Sequence, residues 1–134
     1  MALADTDYEK GISSSTPMHE MIEQTLDEQC MLMYSSGTTG RPKGVIITHG
    51  MMLFSGVGGM SAGRTTRDCV SLVVMPLFHI AAVNVSCCPI IYICGCLVVM
   101  RMFDPDMVLK TLGNKAFGVT HIFLVPAAYN ALKG

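Results

Sequence analysis

The chain has 134 residues, 51% of them hydrophobic and 14% charged, with a net charge of −1; that length suits one hydrophobic core and a single domain. Residues 1–30 carry seven acids against Lys10 alone, while the remainder carries three acids against eight bases, a difference of +5. That excess suits a small anionic ligand, and with no basic tract interleaved with aromatics it excludes nucleic acid as a partner.

In chain order, residues 1–18 read as an irregular polar segment, with a loop from Ser13 to Pro17, and residues 1–29 as a whole as a polar lead-in to a domain over 30–134. Cys30 to Tyr34 predicts a short apolar strand and Val45 to Ile47 a second, β-branched one. Thr48 is placed to cap a helix from His49 towards Gly63. Val70 to Met75 predicts a third strand, apolar enough for burial on both faces. A helix follows the Pro76–His79 segment to about Cys94, and Leu97 to Met100 is a strand. Asp104-Pro105 starts a helix, the aspartate as cap and the proline in the first turn, which runs to near Gly118. Val119 to Val125 is the last strand, and Pro126 opens a final helix. Strands alternating with helices predict an α/β fold with a largely parallel sheet and flanking helices.

The run from Val83 to Met100 is apolar enough to raise a membrane span, but Asn84, Ser86, Pro89 and Gly95 interrupt it, and a buried helix followed by a strand fits better. The first 20 residues are polar and partly acidic, unlike a secretory signal. Cys30, Cys69, Cys87, Cys88, Cys94 and Cys96 lie mostly among Val, Ile and Leu, which predicts buried free thiols in a reducing compartment. Cys94 and Cys96 have no second pair to complete a zinc site.

The stretch from Tyr34 to Val45, YSSGTTGRPKGV, concentrates glycines, hydroxyls and one lysine between two strands. Glycine allows positive φ and lets backbone N–H groups approach a ligand. Successive amides in such a turn form an anion-binding concavity. Ser35, Ser36, Thr38 and Thr39 add hydroxyls and Lys43 a compact positive charge, a composition suited to phosphates. It is not the common P-loop, because a match from Gly37 needs glycine where Pro42 stands. The later GVGGMSAG, from Gly56, fails the dinucleotide pattern at Ser61 and marks close helix packing instead. A flexible Gly/Ser/Thr linker is the bland alternative for the first stretch, and a packed residue with one hydrogen bond is the bland alternative for His79.

The whole string YSSGTTGRPKGV resembles, almost letter for letter, the phosphate-binding signature of the adenylate-forming superfamily, which includes acyl-CoA synthetases, aryl-CoA ligases, luciferases and peptide-synthetase adenylation domains. MPLFHIAA, Met75 to Ala82, resembles the family's next motif with its aromatic–histidine pair, and CGCLVVMRMFDP and VTHIFLVPAAYNAL resemble the two elements after it. The resemblance spans about residues 28–134. It implies that Ser35, Ser36, Gly37, Thr38, Thr39, Gly40 and Lys43 contact the β- and γ-phosphates of ATP, with Lys43 and Thr38 as catalytic positions. Ser35 stands where many members have threonine. Phe78, His79 and Ala81 would border the carboxylate substrate, and the small Ala81 and Ala82 would leave room for a wide acid. The implied reaction has two halves: carboxylate and ATP give acyl-adenylate and pyrophosphate, and the CoA thiol then displaces AMP. ATP, Mg2+ and CoA are the implied cofactor and co-substrates, and a small carboxylic acid the partner.

The family's adenine segment, magnesium-binding glutamate, hinge and C-terminal lysine have no counterpart here. The sequence is therefore expected to be a fragment of an acid–CoA ligase, inactive and poorly soluble alone. A carrier-loading adenylation domain and a non-catalytic nucleotide-binding remnant are the alternatives. The expected location is cytoplasmic, with a peroxisomal or membrane-peripheral one as alternatives.

Overall fold

The computed structural model describes residues 6–37 and 40–133. The first element is a helix, α1 (Asp7–Ser14), where an irregular segment was expected. Its cause is local: the Thr6 side chain accepts from the Glu9 N–H, with Asp7 and Glu9 in the first turn facing the positive end of the helix dipole. None of its residues is buried, so it adds nothing to the core.

Strand β1 (Gln29–Ser35) pairs antiparallel with β2 (Lys43–Thr48), Ser35 opposite Lys43 and Met33 opposite Val45. This hairpin is a sheet of its own, and most of its residues are exposed despite their apolar composition. Only one face is packed, with Ile47 its single buried residue. Thr48 caps α2 (His49–Gly63) by accepting from the Met51 N–H at 3.3 Å. Behind the hairpin, Gly50 N–H donates to the Leu26 carbonyl at 2.8 Å and His49 N–H to that of Glu28 at 3.1 Å, tying the lead-in to the helix start.

The second sheet is parallel, in the order β4 (Cys96–Val99), β3 (Val70–Val73), β5 (His121–Ile122). Alternation along β3 sends its side chains to two faces. Leu72 and Val74 meet Val108 of α4 (Pro105–Gly113). Val73 meets Ala82 and Cys87 on the opposite side. Leu72, Val73 and Val108 are the largest fully buried side chains, and each such burial stabilises by about 1.5–3 kcal/mol.

Between β3 and β4 the chain is π-helical over Ala81–Cys87 and α-helical over α3 (Cys88–Tyr92). Cys94, at φ 57, then takes the left-handed position, with Cys94 N–H bonded to the Ile91 carbonyl and Gly95 N–H to that of Ile90. That is a Schellman stop with a cysteine where glycine is favoured. As expected from the glycine cluster, α2 lies close to this segment: a Cβ at Gly56 would strike the Tyr92 ring, and one at Gly59 would lie 2.9 Å from Pro89 Cγ. Among the described residues, no helix is long and apolar enough to cross a membrane.

Several element boundaries differ from expectation. Strand β3 stops at Val73, not Met75, and β5 keeps only its two residues opposite Ser71 and Leu72. Helix α4, capped by Asp104 as expected (Met107 N–H to Oδ1, 2.9 Å), ends at Gly113, not near Gly118. There the Asn114 side chain takes the Ala116 N–H at 3.0 Å and turns the chain. The last helix, α5 (Pro126–Ala131), starts at Pro126 as expected.

Candidate functional site

The loop leaving β1 is not helical where it is described. Gly37 and Gly40 both have positive φ, 59° and 79°. Gly37 is doubly required, since a Cβ there would also lie 2.5 Å from the Arg41 carbonyl oxygen. At Gly40 the space is open and only the backbone angle selects glycine. Lys43 begins β2, and its Cγ passes 3.7 Å from where a Gly37 Cβ would stand. Thr38 and Thr39 lie outside the described residues. Between Glu28 and Asp68 the chain has no acid, while it carries Arg41, Lys43, Arg64 and Arg67.

By strand alternation Met33 and Ser35 of β1 share a face with Lys43, Val45 and Ile47 of β2. On that face lies a cleft of about 430 Å³, walled by Met33, Tyr34, Ser35, Ser36, Val45 and Ile47 on the hairpin side and Phe78, His79 and Ile80 on the other. The latter three come from the turn that follows β3. The flanks of the first motif, Tyr34 to Ser36 and Val45, thus share one cleft with Phe78 and His79, although one belongs to the hairpin and the other to the parallel sheet; Gly37, Gly40 and Lys43 are not among its walls. The apolar walls Met33, Val45, Ile47 and Ile80 were not anticipated; only the pairing register identifies them.

His79 is fixed at both ends of its residue. Its N–H donates to the Pro76 carbonyl at 3.0 Å, its carbonyl accepts from Ala82, and its Nδ1 accepts from the Ala81 N–H at 3.2 Å. With Nδ1 used as an acceptor, the neutral ring carries its proton on Nε2. Phe78 is 86% exposed and also borders a neighbouring cavity of about 450 Å³ running to Met100 and Phe103. Ala81 is half-buried at the first π-helical residue and does not wall the cleft. Ala82 is fully buried against Val73 and Cys87, so it cannot widen a substrate pocket as its size suggested.

The cysteines also differ from expectation. Cys69 and Cys87 are buried and Cys88 is half-buried, but Cys30, Cys94 and Cys96 are exposed. Burial pushes the Cys87 thiol up, and burial together with the neighbouring Cys87 and Cys30 raises that of Cys88. Among the described residues no three His, Cys, Asp or Glu side chains are grouped to hold a metal.

Ser35 and Ser36 thus stand across a cleft from the turn at the carboxyl end of the parallel sheet's central strand, where open α/β sheets place their ligand crevices. The family model for AMP-binding enzymes matches residues 2–133. The chain belongs to that adenylate-forming family. It is 39% identical over 107 residues to a feruloyl-CoA synthase from Amycolatopsis, covering 80% of this chain and 21% of that protein. Among solved structures it is similar to the O-succinylbenzoate CoA synthetase of Bacillus subtilis in complex with AMP (30% identity, TM-score 0.75, 92% of this chain and 32% of that one). It is also similar to ATP-bound MatB of Rhodopseudomonas palustris (24% identity, TM-score 0.82, 92% and 24%), a likeness of fold. The chain therefore spans about a fifth to a third of these relatives.

Proposed function

We propose that this chain is the phosphate-loop portion of an ATP-dependent acid–CoA ligase. The observation that carries the proposal is that Ser35 and Ser36, where the glycine-rich loop leaves β1, wall one cleft with Phe78 and His79. A carboxylate oxygen attacks the α-phosphorus of ATP, the bond to the β-phosphate oxygen breaks, and pyrophosphate leaves with the electron pair. The sulfur of CoA then attacks the acyl carbon and AMP departs.

In this scheme the amides around Gly37 and Gly40, the Ser35 and Ser36 hydroxyls, Thr38, Thr39 and the Lys43 ammonium neutralise charge building on pyrophosphate. Preorganised donors aimed at such charge lower a reaction barrier strongly, because they need no reorganisation as the charge develops. His79, its Nδ1 occupied by Ala81, offers an Nε2–H donor to the acid's carboxylate, with Phe78 against the acid's body and Ala81 behind it. The described residues do not fit an Mg2+ ion on their own, because no acidic group stands with the loop. No step here passes through the metal, and its ligand belongs to the rest of the ligase. The named relatives are CoA synthetases, which supports CoA over a carrier protein as acceptor.

The test is carboxylate-dependent exchange of labelled pyrophosphate into ATP by the complete ligase. Exchange that collapses in Lys43→Ala supports the assignment, and exchange indifferent to that change refutes it.

A further inference from the structure

A second cavity, of about 310 Å³, lies away from the cleft, between α2, the π-helical segment, α3 and the β3–β5 edge. Its walls include Gly59, Ser71, Ser86, Pro89, His121 and Ile122. Ser71 sits two residues before Val73 on the face of β3 that meets the helices, so its side chain points to this layer. It is 3% exposed, and its hydroxyl forms no hydrogen bond with any described residue. Ser86, 4% exposed, makes only a long bond of 3.5 Å to the Ala81 carbonyl. The Ser71 hydroxyl therefore keeps hydrogen-bonding capacity at the cavity wall that a ligand can use.

The remaining chemistry restricts the occupant. No Lys, Arg, Asp or Glu walls the cavity. Both nitrogens of His121 are engaged, Nδ1 with the Thr120 hydroxyl at 2.8 Å and Nε2 with the Gly63 carbonyl at 3.1 Å. An ion entering here would lose hydration and gain no counter-charge. Largely apolar walls with one free hydroxyl, that of Ser71, match a neutral molecule with an apolar body and a single polar head.

We propose that this cavity binds a small uncharged aromatic alcohol, its ring between Pro89 and Ile122 and its hydroxyl on Ser71. The site is separate from the Phe78–His79 cleft and does not depend on the ligase assignment.

The experiment is ligand-observed 19F NMR of the chain with 4-fluorophenol and with fluorobenzene. The expected result is saturable binding, with 4-fluorophenol held about fivefold more tightly for the one hydrogen bond it gains. Ser71→Ala should remove that preference while leaving fluorobenzene bound, and Ser71→Leu should fill the cavity and abolish both. Ser71→Ala decides the matter should the larger leucine prevent folding. No saturable binding, equal binding of the two probes by the unaltered chain, or a preference that survives Ser71→Ala would each overturn the proposal.

Discussion

Ser35 and Lys43 stand opposite each other where the hairpin opens, the serine hydroxyl donating to the lysine carbonyl at 3.5 Å. The loop that bridges them is thereby anchored at both ends by strand pairing. By strand alternation the Ser35 and Lys43 side chains lie on the same face of the ribbon, and that face holds the cleft.

Lys43 begins β2 on the face of the ribbon that holds the cleft. In the complete ligase, Lys43→Ala should slow adenylate formation by ~10²–10³-fold, the usual cost of one donor aimed at developing charge. Lys43→Arg should recover only part of this, because a planar fork does not replace a compact ammonium. Single-turnover adenylation rates decide it.

The two loop glycines should respond differently. Gly40→Ala meets no neighbouring atom and bears only the left-handed backbone strain, about 1–2 kcal/mol. Gly37→Ala bears that strain and also a 2.5 Å approach to the Arg41 carbonyl, so it should be the more damaging of the pair. Gly40→Val adds a β-branch over the amides and should impair adenylation at least as much as Lys43→Ala. Equal rates for the two alanine variants would show that the Arg41 contact is not maintained.

Stability should be concentrated on the central strand. Leu72→Ala removes a side chain with no exposed surface, packed against Val108, and should cost about 2–5 kcal/mol. Ile46→Ala, on the exposed side of the hairpin, should change stability by less than about 0.5 kcal/mol. Urea midpoints of the two variants separate these outcomes.

Cys94 occupies a left-handed position that glycine fills without penalty. Cys94→Gly should raise stability by about 1 kcal/mol, seen as a higher thermal midpoint.

The raised thiols of Cys87 and Cys88 give a pH dependence of definite sign. Folding favours their protonated forms, so their contribution is complete below the ordinary thiol value of 9.0 and is lost as pH rises through the higher folded values. Urea midpoints should therefore fall above that pH. Alkylation at pH 8 should also reach Cys30 and Cys96 before Cys87.

Much of this was legible in the residues because it is written locally. Thr48 and Asp104-Pro105 announce their helices by capping chemistry, and the glycine cluster of α2 announces the approach of Tyr92 and Pro89. Helix α1 carries the same kind of signal, Thr6 three residues before Glu9, which the surrounding polarity obscured. What escaped depends on tertiary partners. The apolar composition of β1 and β2 could not show that one face of the ribbon is open. The size of Ala82 could not show that it is consumed by the core. At the site, the two motifs were visible and their meeting was not, because the cleft walls Met33, Val45 and Ile47 are selected by pairing register.

The central claim is that the Gly37–Lys43 loop is a phosphate cradle, and amide NMR titration of the chain with tripolyphosphate, ATP and GTP tests it most directly. With only the loop to grip them, the three should bind weakly and within a few-fold of one another. The amides of Gly37, Gly40 and Gly44 should move together along one saturation curve, and Lys43→Ala should flatten it. Tripolyphosphate that leaves those three amides unmoved while shifting residues around Arg64 and Arg67 would contradict the claim.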